Sequence, residues 1–109
     1  MNAQQFLPLT QPVLHILLAL SDGPRHGYGI AKEASERTQG QVKLGPGTLY
    51  GTLGRLVDAG LVTETGATDP DDSRRRFYEI TPLGREVLSL EAQRLAEVVS
   101  LVRAKGLVH

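Results

Sequence analysis

A short stretch in the middle of the chain carries side chains that could contact a nucleic acid. The guanidinium of Arg55 can pair with phosphate or with a guanine edge, and the hydroxyls of Thr48 and Thr52 can bond to either group. Together with Gly51 they occupy positions i, i+3, i+4 and i+7, so they share one face of a helix. This face carries no large apolar group, and it is a candidate surface for the direct readout of DNA bases.

Three glycines interrupt the same helix. Gly47, Gly51 and Gly54 lie on one stripe, although each glycine inside a helix costs roughly 0.5–1 kcal/mol relative to alanine. Because glycine has no side chain, the helix backbone can approach another surface closely here. We predict that this surface is DNA. Two alternatives stay open: tertiary packing compensates for weak helix formers, or a neighbouring helix makes the close contact.

The only run of basic residues is Arg74-Arg75-Arg76. In a hairpin beside the helix it could contact phosphates, and Arg74 and Arg75 are the better candidates because strand alternation places Arg76 on the side of Tyr78. Lys43 is a further candidate for phosphate. The alternative is that the arginines pair with nearby carboxylates, those of Asp69, Asp71 and Asp72.

The stretch His26-Gly27-Tyr28-Gly29 opens a second helix. Free N–H groups at this helix start could bind a phosphate with help from Arg25 and His26. We favour the alternative that Tyr28 is a core residue that anchors this helix to the first one, with its hydroxyl bonded locally.

Several classes of function are not supported. The chain has no cysteine, so disulfides and thiolate metal sites are excluded. His15 lies in an apolar helix and His26 is eleven residues away, which is not metal-ligand spacing. No glycine-rich phosphate loop follows a strand. We therefore expect no enzymatic activity, no cofactor and no metal.

Size and charge set further limits. The chain has 109 residues, which predicts one domain of modest stability, and its 12 basic and 12 acidic residues give a net charge of zero. Any binding to nucleic acid must therefore come from local charge. The apolar run from Val13 to Leu20 is too short to span a bilayer. We expect a cytoplasmic protein with no membrane partner.

The elements that position these residues are three helices, a two-stranded hairpin and a long final helix. The first predicted helix is capped by Thr10 and ends before the stretch from Ser21 to Pro24. The other predicted helices span residues 28–38, 46–59 and 82–105. Predicted strands at 61–65 and 74–80 flank a polar loop at 66–73. The first nine residues are predicted to be an irregular arm. This order defines a mainly α fold with a small β-hairpin, a winged helix-turn-helix at 1–80 and a C-terminal dimerisation helix at 81–109, in one continuous structural unit.

The final helix carries an apolar seam that predicts a dimer. Its seam residues are spaced 4-3-4-3, as in a coiled coil, and are Leu88, Ala92, Leu95, Val99 and Val102. Further apolar residues widen this face beyond one seam. We favour a homodimer, which suits two DNA half-sites, over a helix folded wholly onto its own domain.

Three segments carry a family resemblance that runs from about Leu14 to Leu88: ILLALSDGPRHGYGIAKE, GTLYGTLGRLVDAGLV and RRRFYEITPLGREVL. The chain resembles the PadR family of transcriptional regulators, named for a phenolic-acid-responsive repressor. The resemblance implies a homodimeric winged-helix regulator that represses a nearby gene and releases DNA when a small effector binds. The single C-terminal helix resembles the short branch of the family.

The resemblance also implies roles for individual residues. It adds Tyr28 and Tyr50 to the candidate DNA contacts. At Gly51, already a candidate from the helix face, this chain departs from the family, which often has proline there. Tyr78 matches the wing tyrosine. A small hydrophobic or aromatic effector would bind between the dimer helices and the core, against Leu14, His15, Leu18, Leu95, Val99 and Val102.

The resulting expectation is a sequence-specific DNA-binding regulator, a ligand-responsive homodimeric repressor on a palindromic operator. The main alternative is a winged-helix module that binds protein through the same helix face, which the neutral net charge allows. A weaker alternative is a small-molecule-binding protein or enzyme without DNA contact.

Overall fold

A computed structural model describes residues 2–108. Its elements are a 3-10 helix (Ala3–Phe6), α1 (Gln11–Leu20), β1 (Arg25–His26), α2 (Gly27–Arg37), α3 (Pro46–Asp58), β2 (Val62–Asp69), β3 (Asp72–Ile80) and α4 (Pro82–Ala104). This order confirms the predicted fold class, mainly α with a β-hairpin wing. Within these residues, no helix combines the length and the apolar character that crossing a membrane requires.

The helix ends follow the predicted local signals. The Thr10 hydroxyl accepts a hydrogen bond from the backbone N–H of Val13 at 3.4 Å, and Pro12 lies in the first turn of α1. Gly60, with a φ of 82°, follows the C-cap of α3 in the left-handed conformation that favours glycine. The chain therefore turns sharply from α3 into the wing.

The core forms around α1, which contributes Ile16, Leu17, Ala19 and Leu20 as buried residues. These pack with buried residues of the other elements, chiefly Ile30, Leu49, Leu53, Leu56, Leu61 and Val87. This side of α1 therefore lies at the centre of the core. The other side of α1 is open, because Leu18 is 43% exposed.

The wing is longer and more regular than predicted. The polar loop predicted at 66–73 is wrong, since β2 and β3 continue to a tight tip at Pro70 and Asp71. The Asp71 N–H donates to Asp69 Oδ1 at 2.9 Å, which closes this turn without a long loop. The sheet has a third strand that was not predicted, with the order β1-β3-β2 and Arg25 opposite Tyr78.

The prediction of an irregular arm over the first nine residues is also wrong for residues 2–9. The 3-10 helix packs on α4, and Ala3 is buried. The backbone N–H of Leu9 donates to Glu91 Oε2 at 2.8 Å, and Arg94 Nε donates to Glu91 Oε1 at 2.5 Å. Glu91 is only 1% exposed, so a buried carboxylate fastens the N-terminal segment to the final helix.

Candidate nucleic-acid interface

The glycine stripe of α3 faces open space. A Cβ placed on Gly47 or Gly54 would meet no atom within 4 Å among the described residues, and one on Gly51 would meet only Arg55 Nη1 at 3.8 Å. Thr48 and Arg55 are exposed on the same flank. No helix within residues 2–108 fills this space, so the backbone of α3 is accessible to a partner along its outer side.

Thr52 does not lie on this open flank, contrary to the prediction. It is 2% exposed, because around the helix axis it lies next to Leu56, which packs in the core. Its hydroxyl accepts a hydrogen bond from Arg55 Nη2 at 3.2 Å. The Thr52 side chain thus helps to position the Arg55 guanidinium and is too buried to contact a DNA base. Val57 lies at the edge of the apolar face of α3 and is 36% exposed.

Tyr50 joins the two helices of the helix-turn-helix. It is about half exposed, and the end of its ring lies over Gly27 so closely that a Cβ there would be 2.6 Å from Tyr50 Oη. The start of α3 is therefore held against the start of α2. The phenol ring remains accessible on the outer side, beside the open flank.

Tyr28 is an exposed residue, and its prediction as a core anchor is wrong. It is 58% exposed because Gly27, Ile30 and Ala34 form the inward face of α2 instead. The guanidinium of Arg75 lies over its ring at 5.1 Å from the centroid, a cation–π contact. Tyr28 thus links α2 to the wing at the surface.

The wing arginines pair with carboxylates of the same hairpin. Arg74 Nε lies 3.1 Å from Asp72 Oδ1, and Arg75 Nη1 lies 3.3 Å from Asp69 Oδ2. The alternative prediction of pairing with carboxylates is therefore observed for these two aspartates. Among the described residues, Asp71 forms no ion pair within 4.0 Å.

These contacts favour the charged forms of the hairpin side chains. The pKa of Asp69 is lowered, first by the hydrogen bond from the Asp71 backbone and then by Arg75. The hydrogen bonds from Arg74 hold the pKa of Asp72 below its ordinary value, and the same pair raises the pKa of Arg74. These pKa shifts of Asp69, Asp72 and Arg74 all favour the ionised forms.

The helix start at His26 differs from the predicted phosphate site. The Gly29 N–H donates to His26 Nδ1 at 3.0 Å, so the imidazole itself caps the helix. Arg25 donates from Nε to the Ala19 carbonyl at 2.8 Å and pairs with Glu33 at 2.9 Å. The first-turn N–H and the Arg25 side chain are already bonded within the chain.

Lys43 and Tyr78 differ in exposure. Lys43 is exposed just before α3 and lines an open cleft with Tyr28 and Lys32. Tyr78 is half-buried, and burial, with a smaller effect of nearby Glu64, raises the pKa of its phenol. The wing tyrosine therefore stays neutral, whereas the entry to α3 carries a positive charge.

An apolar groove lies between α1 and α4, on another side of the molecule. It has a volume of about 360 Å³ and is lined by Leu14, Leu18, Arg85, Leu88, Ser89, Ala92 and Leu95. Three residues predicted for an effector, Leu14, Leu18 and Leu95, thus meet here. His15 lines a different cavity between α1 and α2, and Val99 does not line the groove.

The second half of α4 extends beyond the body of the domain with its apolar side chains uncovered. Leu95, Val98, Val99 and Leu101 are 36–58% exposed. Leu88 and Ala92 continue this surface into the groove, and Val102 is half-buried. The predicted seam therefore begins at Leu88, which packs partly against the core, and continues along α4 as a largely exposed apolar surface.

Several connections were not predicted from the sequence. They are the hydrogen bond from Arg55 to Thr52, the cation–π contact of Arg75 with Tyr28, and the hydrogen bonds of the buried Glu91 to Leu9 and Arg94. An acidic residue inside an otherwise apolar face of the final helix was the one available signal for Glu91. The β1 strand is too short for any alternation pattern to indicate it.

Known proteins are similar to this chain in sequence and in fold. The chain matches the PadR-like family of transcriptional regulators over residues 16–90. It is 38% identical over 86 residues to a transcriptional regulator of Mycobacterium tuberculosis, covering 78% of this chain and 76% of that protein. It is 43% identical over 83 residues to an uncharacterized 37.1 kDa transposon protein of Streptomyces fradiae, covering 76% of this chain.

The chain spans only 22% of the length of that transposon protein. A PadR-like transcriptional regulator of Bacillus cereus has the same fold, with a TM-score of 0.75, 23% identity, and coverage of 96% of this chain and 99% of that one. Regulators of this family are not enzymes. The match over residues 16–90 places the chain in the PadR-like family of transcriptional regulators.

Proposed function

We propose that the chain is a sequence-specific DNA-binding regulator and that α3 is its recognition helix. The observation that carries this proposal is the open flank of α3, where Gly47, Gly51 and Gly54 expose backbone and Arg55 stands on a buried support. An α-helix fits the major groove, and a bare flank lets its axis approach the groove wall. Arg55 reads a guanine edge in this arrangement, with Thr48 beside it.

Phosphate contacts flank this helix. Lys43 stands before α3, and Tyr28 and Tyr50 expose phenol rings near its start. On the wing, Arg74 is 89% exposed at its side chain and Arg75 is 40% exposed. These groups fix the orientation of the protein on the duplex, whereas base contacts from α3 supply the specificity.

We propose that the regulator acts as a homodimer through α4. The uncovered apolar residues of its second half continue into the groove beside α1, so a second copy of the chain would bury one connected surface. A two-fold axis would then present two α3 helices to one duplex. The operator would be palindromic for the same reason.

The ligand response is proposed at the groove between α1 and α4. Its lining is apolar apart from Arg85 and Ser89, which suits a small hydrophobic or aromatic effector. A ligand there would lie next to the dimer helix and so change the separation of the two α3 helices. We propose that this releases DNA and that the protein is a cytoplasmic repressor.

Selection of bound fragments from random duplex DNA by the purified protein tests this function. We expect enrichment of a two-fold symmetric sequence whose half-sites are about one helical turn apart, roughly 10–10.5 base pairs, or a multiple of it. An asymmetric or unenriched pool would contradict the proposal. Specific retention of a protein by the same α3 face, with no DNA enriched, would favour the interaction module instead.

A further inference from the structure

An aspartate of the wing lies in a cluster of hydrogen-bond donors. Asp69 Oδ2 lies 3.3 Å from Arg75 Nη1 and 3.6 Å from His26 Nε2. Its other oxygen accepts the Asp71 N–H at 2.9 Å. Although it is close to the hairpin tip, its side chain is only 11% exposed. The carboxylate is thus enclosed by groups from two elements, the wing and the start of α2.

The donors around this carboxylate are held independently of it. His26 Nδ1 accepts the Gly29 N–H, so the neutral imidazole carries its hydrogen on Nε2, the atom that faces Asp69. The Arg75 guanidinium is positioned over the Tyr28 ring at 5.1 Å. Arg75 Nε also lies 3.9 Å from Asp72 Oδ2. Because the helix cap holds His26, and the Tyr28 ring and Asp72 hold Arg75, the donors would still converge if the Asp69 carboxylate moved away.

We propose that His26 and Arg75, whose guanidinium lies over the Tyr28 ring, form a binding site for a phosphate of the DNA backbone, and that Asp69 occupies this site in the free protein. A phosphodiester has the single negative charge and the acceptor oxygens of a carboxylate, so it satisfies the same donors. The assignment of this phosphate to DNA rests on the proposed function. Asp69 is then a built-in competitor that lowers affinity for every duplex.

The wing allows this exchange. The pairing of β2 with β3 is irregular between Thr68 and Asp69, so Asp69 sits where the ladder is already interrupted. An outward movement of the tip would release the carboxylate and leave the pairs from Val62 to Glu64 intact. The contact is between a strand end and a helix start and involves no buried core residue.

Two variants with the same change in charge separate competition from general electrostatics. Asp69→Asn keeps Oδ1 as acceptor for the Asp71 N–H but presents an amide N–H₂ to the donors of Arg75 and His26. Asp71→Asn removes one charge from the same turn, where no ion pair with arginine is lost. Affinity of both variants for one operator duplex and one unrelated duplex is measured between low and moderate salt.

We expect Asp69→Asn to bind both duplexes about two- to fivefold more tightly than Asp71→Asn, the range that one ion pair near the protein surface supplies. Because the phosphate takes the same site in every variant once residue 69 has moved, the slopes of log K against log salt of the two variants should differ by less than the value of about 0.9 that one phosphate contributes. An additional Arg75→Gln should abolish the gain. Equal affinities of the two aspartate variants would overturn the proposal, and so would weaker binding by Asp69→Asn.

Titration with inorganic phosphate tests the site without DNA. In ¹H–¹⁵N spectra we expect saturable shifts of the Gly29 amide and the His26 ring in Asp69→Asn, and none in Asp71→Asn. The same spectra show whether the wing of each variant is folded. If Asp69→Asn binds phosphate but the protein binds no DNA, the phosphate site is supported and the proposed function is refuted. If the protein binds DNA but phosphate causes no shifts in Asp69→Asn, only the phosphate site is refuted.

Discussion

Gly84 leaves no space between the first turn of α4 and the backbone carbonyl of Leu61. A Cβ at Gly84 would overlap that oxygen and lie 2.8 Å from Ile80 Cγ1. The same carbonyl accepts the Thr81 N–H at 3.0 Å, and the Thr81 hydroxyl donates to the Gly60 carbonyl at 2.6 Å. The end of α3, the base of the wing and the start of α4 therefore form one rigid joint.

Gly84→Ala is expected to destabilise the fold by about 1–3 kcal/mol, the usual range for overpacking, because a backbone carbonyl cannot rotate aside. Urea unfolding measures the free energy. Gly27→Ala is the matched control: its Cβ would meet Tyr50 Oη at 2.6 Å, but that atom is the end of a half-exposed side chain that can move. Equal losses in the two variants would contradict the rigidity of the joint.

Arg55 should carry base specificity. Arg55→Ala is expected to cost roughly 1–3 kcal/mol of binding free energy at one guanine position of the operator, and to relax the preference there. Titration of single-base operator variants checks this. Arg37→Ala, an exposed arginine on α2 that pairs with Glu33 at 3.4 Å, serves as the control and should leave the preference unchanged. Unchanged operator affinity of Arg55→Ala would remove this assignment.

Thr52 should act on DNA only through Arg55. Thr52→Val keeps the size of the buried side chain but loses the acceptor of Arg55 Nη2. We expect operator affinity to fall by about 0.5–1.5 kcal/mol, the worth of a typical hydrogen bond, with the unfolding midpoint hardly changed. If Thr52→Val lowered the affinity of an Arg55→Ala protein by the same amount, the hydroxyl would have a separate role.

Leu95 lies at the centre of the uncovered surface of α4 and should hold the dimer together. Leu95→Asp is expected to give monomers in sedimentation velocity, because a carboxylate would be buried at the proposed interface without a partner. Gln93→Asp adds the same charge to an exposed position on the opposite side of the helix and should remain dimeric. A dimer that persists in Leu95→Asp would place the interface elsewhere.

Glu91 should make stability fall in acid. The hydrogen bond from Arg94 lowers its pKa, burial opposes this, and the Leu9 N–H lowers it further. Since the folded pKa is below the unfolded one of about 4.3, the stabilisation is complete above that pH and is lost as the pH falls through the folded pKa. Urea unfolding at stepwise pH from neutral to acid follows this loss.

Glu91→Gln isolates that contribution. It should cost about 1–3 kcal/mol at neutral pH, because a charge-assisted hydrogen bond is lost in a buried place, and the acid dependence should become shallower. Glu97→Gln, at an exposed position of the same helix, should leave both quantities unchanged. An identical acid dependence in wild type and Glu91→Gln would show that this carboxylate does not control it.

The buried faces of the helices and their ends could be predicted from the sequence. Leu49, Leu53 and Leu56 recur at helical spacing and are buried, and Gly60 has the positive φ that its position required. These features depend on periodicity and on local hydrogen bonding, which neighbouring residues determine. The mainly α fold followed from the same local patterns, whereas the family followed from the resemblance of three sequence segments.

The roles of individual side chains at the surface could not be predicted as well. Thr52 was expected to be exposed and is buried, whereas Tyr28 was expected in the core and is 58% exposed. A helical wheel gives the order of residues around an axis but not where a neighbouring element ends. Whether the residue at the edge of an apolar face is covered depends on that neighbour.

The sequence by itself determined which residues form helices, where the wing begins and that α3 has a flank of small residues, because these properties depend on contacts within a few positions. Only the tertiary structure decided that Asp69 reaches His26 across 43 positions, that Glu91 holds the N-terminal segment, and that the flank stays open. Such contacts join residues far apart in the chain. Their geometry is set by the packing of whole elements, which no local pattern encodes.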